Sequence, residues 1–163
     1  MSYSLLEQYS RDIDYYVFNL KIGLLHFASA GGRLPSIIEG NDLNNEQLHL
    51  AILELPSSYE IEINPNLTEI TGLSGQQLET YLADFISIAK RGLFSFDKTN
   101  INVQQDSNYH LVAWPKEPMP LYPIWPFDFL NSSICNIILN TSSIPFNSKP
   151  NENWPFKLNL DQE

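Results

Sequence analysis

The sequence predicts an α+β domain, with a small, mostly antiparallel sheet of about four to six strands packed by two or three helices and a long Pro/aromatic-rich C-terminal loop region. Three observations predict it. Runs rich in β-branched and aromatic residues recur between turn residues, and two segments show helical spacing with start and stop signals. After Trp114, five prolines interleave with aromatic residues, which ends regular structure. With 163 residues, 43% of them hydrophobic and 12% aromatic, the chain suits one domain over 1–163, its α+β core in 1–114 and the segment 115–163 packed on that core.

The first dozen residues read as a short helix or an extended arm ending near Asp12. From Ile13 to Asn19, the residues Asp14, Tyr16 and Phe18 alternate with Ile13, Tyr15 and Val17, the pattern of a strand. A second apolar run, Ile22 to Ala28, completes a β-hairpin, which Gly31, Gly32 and Pro35 close off. Helical spacing follows from Asn44 to about Leu53, with Asn44 as cap, Gln47 at the capping-box position and Pro56 as the stop. Tyr59 to Ile63 alternates as a half-exposed strand, Glu60 and Glu62 facing one way and Tyr59, Ile61 and Ile63 the other. The helix from Gly75 to about Arg91 carries the most signals. Ser74 and Gln77 form a capping box, and Leu78, Leu82, Phe85, Ile86 and Ala89 make a stripe. Lys90 and Arg91 suit its C-terminal end, with Gly92 just beyond. Leu93 to Phe96 and Tyr109 to Trp114 read as two more strands, the arms of a long hairpin. Beyond them, prolines 115, 118, 120, 123 and 126 alternate with Trp114, Tyr122, Trp125, Phe127 and Phe129 in an extended loop. Ile134 to Leu139 is a short apolar segment, and Trp154 and Phe156 can clasp the tail to the core.

Nineteen acidic residues against nine basic ones give a net charge of -10 and a pI near 4.6, which disfavours nucleic acid and anionic membranes; a basic protein surface would be attracted, but an acidic surface that simply keeps the protein dispersed is the preferred reading of the charge alone. Cys135 is the single cysteine, so an intramolecular disulfide and a thiolate metal cluster are both excluded. With no basic n-region before an apolar run and no apolar stretch of membrane-spanning length, a cytoplasmic location is expected. The sequons at Asn66, Asn131 and Asn140 carry weight only in a secreted chain.

No serine-hydrolase elbow, phosphate loop, dinucleotide fingerprint, H-E-x-x-H or paired C-x-x-C occurs, so an enzyme is disfavoured and no cofactor is expected. Among looser candidates, Ser29, Gly31, Gly32 and Arg33 suit an anion site, since small residues let backbone amides converge beside a charge. A sharp chain reversal needs the same glycines, and that turn is the preferred reading. His26 is a candidate general base beside Asp12 or Asp14, against the simpler account of a hydrogen-bonded sheet histidine. His49 and His110 lack ligand-spaced companions, so no metal site is expected. Glu60 and Glu62 suit either a solvated face or, with Asp12 or Asp14 nearby, a Mg²⁺ site, and solvation is preferred.

The aromatic loop, with Trp114, Tyr122 and Trp125, suits either a lid on the core or a partner-binding surface shared with Glu60 and Glu62. Three readings follow, in order of preference. The first is a non-enzymatic cytosolic interaction module that binds or neutralises a basic protein. The second is a small-molecule enzyme or ligand-binding domain with an anion site at the Gly31-Gly32-Arg33 loop near His26. The third is a structural subunit or a homodimer joined through an edge strand.

Overall fold

The computed structural model describes residues 2–19, 23–106, 108–117 and 156–157. The elements run α1 (Leu5–Ser10), β1 (Asp14–Asn19), β2 (Gly23–Ala28), α2 (Ser36–Glu39), α3 (Asp42–Leu53), β3 (Ile61–Ile63), α4 (Leu67–Thr71), α5 (Gly75–Ala89), β4 (Phe94–Lys98), β5 (Asn108–Pro115) and β6 (Phe156–Lys157). The expected α+β class and mostly antiparallel sheet are found. The strands form one sheet in the order β1-β2-β4-β5-β3, with β6 also pairing β5. Antiparallel pairing joins β1 to β2, β4 to β5, and β5 to both β3 and β6. Among the described strands only β2 and β4 run parallel, so the chain between them crosses over through α2, α3, β3, α4 and α5.

Period-two alternation gives the sheet two unlike faces. One is apolar: Tyr15 and Val17 of β1, Leu25 and Phe27 of β2, Phe94 and Phe96 of β4, and Tyr109 and Leu111 of β5 pack with Tyr3, Ile13, Leu34 and Ile38. The other face lies beneath α3 and α5. There Leu48 and Ile52 meet Tyr16 and Leu24, while Leu82, Phe85 and Ala89 meet Ala28 and Val112. This second face also buries the polar residues His26, Ser95, Asp97 and His110. A row of polar groups under two helices needs internal partners.

Local signals were met unevenly. α3 begins at Asp42, ahead of the expected Asn44 cap, and Ser74 makes no side-chain cap because Gly75, at φ 55°, stands between it and the rest of α5. The capping box that does form closes α1: Ser4 Oγ accepts the Glu7 N–H at 3.2 Å and Glu7 Oε2 accepts the Ser4 N–H at 2.9 Å. The expected strand from Tyr59 shortens to Ile61–Ile63, since pairing reaches only the end of β5, from Ala113 to Pro115. The short helices α2 and α4 lacked a periodic signature long enough to read. The prolines and aromatics of 118–155, the apolar segment 134–139 and Trp154 lie outside the described residues.

The loop after β2 is a tight reversal. Ala30 (φ 45°) and Gly31 (φ 69°) are both left-handed, and Gly32 N–H closes on Ser29 O at 2.8 Å, a type I′ arrangement. Lys98 is buried behind it, its ammonium donating to the Gln104 carbonyl at 3.1 Å, and desolvation lowers its pKa. A β-carbon at Gly32 would overlap that ammonium and press to 2.9 Å from Ser29 O. Gly32→Ala is therefore expected to cost about 1–3 kcal/mol in denaturant unfolding, part of it recovered when Lys98→Met removes the ammonium.

Candidate functional site

Hairpin register decides what His26 meets. Tyr16 lies opposite His26 and Asp14 opposite Ala28, so Asp14 is the diagonal neighbour of His26 on the helix-covered face. Asp14 Oδ1 lies 2.8 Å from His26 Nε2, and the parallel pairing of His26 with Ser95 brings the serine Oγ to 2.7 Å from Nδ1. A carboxylate can only accept, so Nε2–H donates to Asp14, and Ser95 Oγ pairs with the other ring nitrogen. On the solvent side, Tyr16 OH and His49 Nδ1 share a hydrogen bond of 2.7 Å, and the same nitrogen sits 3.9 Å from Asp14 Oδ2. Burial alone would raise the Asp14 carboxyl, but the hydrogen bond from His26 and the charges of His26 and His49 outweigh it and hold the pKa below the ordinary value.

Asp14 is the point where this chain of contacts opens to the surface. It lines a cleft of about 380 Å³ between the β1 end of the sheet and α3. Asp12 and Asp14 stand on one wall and Glu46 and His49 on the other, with Arg11 and Leu50 also at the lining. The Asp12 carboxyl is raised by burial and by the charge of Asp14, against the N–H of Ala30, which donates to its Oδ1 at 2.7 Å. Asn45 also lines the cleft. Its Nδ2 donates to Tyr3 OH at 3.2 Å and to the Asp14 carbonyl at 2.8 Å, while its buried Oδ1 has no hydrogen-bond partner.

A second buried network lies farther along the same face. Tyr81 OH contacts Asp97 Oδ2 at 2.8 Å and His110 Nε2 at 3.0 Å, and Thr99 Oγ1 is 3.3 Å from His110 Nδ1. With one hydroxyl proton given to the carboxylate, Tyr81 must accept from Nε2–H, so every donor in the row points toward Asp97. Burial raises Asp97 to about 6 and lowers His110 to about 4, and it also raises Tyr81 together with the charge of Asp97.

The structure joins some sequence candidates and separates others. His26 and Asp14 meet, but His26 is 2% exposed and Ser95 0%, so only Asp14 of the three faces solvent. In the Ser29–Arg33 loop, the Ala30 amide is taken by Asp12 and the Gly32 amide by Ser29 O, while the Arg33 side chain is exposed. Glu60 is exposed and bonds Lys116 at 3.1 Å, and Glu62 is exposed on β3. Because β1 and β3 occupy opposite edges of the sheet, Asp12 and Asp14 are not neighbours of Glu60 and Glu62. Trp114 is half-buried against the apolar core, whereas Tyr122 and Trp125 lie outside the described residues. No group of three His, Cys, Asp or Glu side chains is placed to hold a metal ion among the described residues, and no helix there is long and apolar enough to cross a membrane.

Glu46, Asn45, Ser95, Asp97 and Tyr81 escaped the sequence reading. Alternation marks Ser95 and Asp97 as sharing a face, but only the parallel β2–β4 pairing reveals that the face is that of His26. Comparison with protein-family models, with curated proteins and with solved structures gives no match.

Proposed function

We propose that the chain is a non-enzymatic interaction protein that binds the basic surface of another protein, through the face formed by α3 and the adjoining acidic cleft. The observation that carries this reading is the charge of the helical crossover. Residues 34–89 hold nine carboxylates and no lysine or arginine. On α3 those charges flank three exposed leucines, Leu43, Leu50 and Leu53, which helical spacing gathers with Glu46 and Glu54 on the outward side. Exposed apolar residues ringed by one sign of charge suit an interface in which electrostatics speeds encounter and leucines supply holding energy. The burial of His26 and Ser95 weighs against use of the Asp14–His26–Ser95 row in hydrolysis, because a substrate carbonyl has no path to the serine.

The test is capture from the extract of the cells that make the protein, at low and moderate salt. A stoichiometric partner with a basic isoelectric point, retained at low salt and released as salt rises, is the expected result. Leu43→Asp with Leu50→Asp should cut retention at least tenfold, and Glu60→Lys with Glu62→Lys reports whether the β3 edge shares the contact. Absence of any basic partner, or capture indifferent to both pairs of substitutions, would overturn the reading.

A further inference from the structure

From the outward side of α3, we infer that the element it receives is a single amphipathic helix of the basic partner, laid along a leucine stripe with a cationic side chain facing Glu46. The inference rests on the interaction reading above. α3 is apolar on two opposite sides. Leu48 and Ile52 point to the sheet, where they are fully enclosed and meet Tyr16 and Leu24. Leu43, Leu50 and Leu53 lie on the other side, 47%, 64% and 40% exposed. At about 100° per residue, these three and Glu46 fall within an arc of about 80°. The sheet takes up the first side and leaves the second in solvent.

Spacing selects the kind of partner. Positions 43, 46, 50 and 53 follow one another at intervals of three and four, the repeat that keeps one helix seam against another along its length. A strand or a loop would cross such a stripe at one or two points, whereas a helix about 20° from the axis of α3 meets all four positions. Three of the four carry leucine. The fourth, Glu46, is a carboxylate set inside the stripe, and an apolar residue packed over it would desolvate the charge without pairing it. The facing helix must therefore bring lysine or arginine to that position. Asp42 and Glu54 border the stripe, with no lysine or arginine anywhere in residues 34–89. Charge thus calls for a cationic helix and argues against a second copy of this chain, which would set the same carboxylates against each other.

The stripe is also held still before a partner arrives. Near the start of α3, Asn45 Nδ2 donates to the Asp14 carbonyl at 2.8 Å. At its end, Arg91 Nε and Nη2 donate to the Leu53 carbonyl at 3.3 and 3.2 Å. A helix pinned at both ends gives up little freedom when another lies on it, so burial of the leucines is left to hold the complex.

The test uses synthetic peptides of about three heptads, long enough to become helical on contact. The first places leucine at the seam, lysine at the flanks and one lysine inside the seam to face Glu46; the second has the same composition in an order without helical period. Each is titrated into isotope-labelled full chain by two-dimensional NMR, and peptide helicity is followed by difference circular dichroism. The amphipathic peptide should bind at least tenfold tighter than the scrambled one, gain helicity and shift residues 43–54. Leu50→Asp should weaken it at least tenfold, while Glu79→Gln with Asp84→Asn on α5 should change it less than twofold; dispersed spectra establish that both variants are folded. Glu46→Leu should reverse the order of preference between the first peptide and a third with leucine in place of the seam lysine. Equal binding of the scrambled peptide, no gain of helicity, indifference to Leu50→Asp, or an unchanged order for Glu46→Leu each overturns the inference. So does self-association of the chain that Leu50→Asp abolishes. Capture of a basic partner alongside a failed peptide titration sinks the helix alone, whereas failure of capture sinks the broader reading.

Discussion

Phe27→Ala is expected to lower the free energy of unfolding by about 3–5 kcal/mol, a fall of about 10 °C in melting temperature for a domain of this size. The reason is the place of Phe27 at the middle of the apolar face. Its ring is fully enclosed, stacks on Tyr15 at 5.3 Å and on Phe96 at 4.8 Å, and meets Tyr109 edge-on at 5.1 Å. Deleting it leaves a cavity bounded by three other rings held by their strands, so little collapse can refill the space. Phe27→Leu keeps most of the volume and should cost about 1 kcal/mol. Urea unfolding checks both, with the midpoint falling at nearly constant slope. A loss below about 1 kcal/mol for the alanine variant would show that this ring cluster is not the main core.

The second large effect is a pair of opposed pH dependences that single substitutions expose. Asp97 has a folded pKa of about 6 against an ordinary 3.8, so the folded state holds its proton more tightly and loses about 3 kcal/mol of stability as pH rises from about 4 to 6. His110 has a folded pKa of about 4 against an ordinary 6.5, so the folded state resists protonation and loses about 3 kcal/mol as pH falls from about 6.5 to 4. In the natural chain the two slopes nearly cancel across that window. Asp97→Asn should leave the histidine slope, with stability rising toward neutrality by about 3 kcal/mol relative to the parent. His110→Gln should leave the carboxylate slope, with stability falling over the same interval. Differences between variant and parent isolate the two groups, since the other carboxylates are common to all three chains. Parallel curves for parent and both variants would show that the Tyr81 network does not control either proton.

The fold class was legible because β1, β2, β5 and α5 each announce themselves over six or more residues with a consistent period. The hairpin, too, could be read, and with it the neighbourhood of His26 and Asp14. What hid the site was pairing at long range. Nothing local to Ser95 marks it as a partner of His26, and nothing around Asn45 marks an orphaned oxygen, because both properties arise when α3 and β4 close on β1 and β2. Glu46 illustrates the same limit: on its own helix it is an ordinary surface glutamate, and it becomes a cleft wall only by facing Asp12 and Asp14. Capping failed for another reason. Side-chain capping depends on the φ of the neighbouring residue, and Gly75 takes a value that composition alone does not reveal.

The parallel pairing of β2 with β4 has a consequence in time. The β1–β2 hairpin joins residues close in sequence and can close in about 1–10 μs. The contact between His26 and Ser95 spans 69 residues, so the central seam must wait for a large loop to be drawn in, at an entropic cost that slows folding. A ribosome that has released β2 but not β4 therefore presents an unzipped strand with Leu25 and Phe27 uncovered, the stage at which neighbouring nascent chains are most able to stick to it.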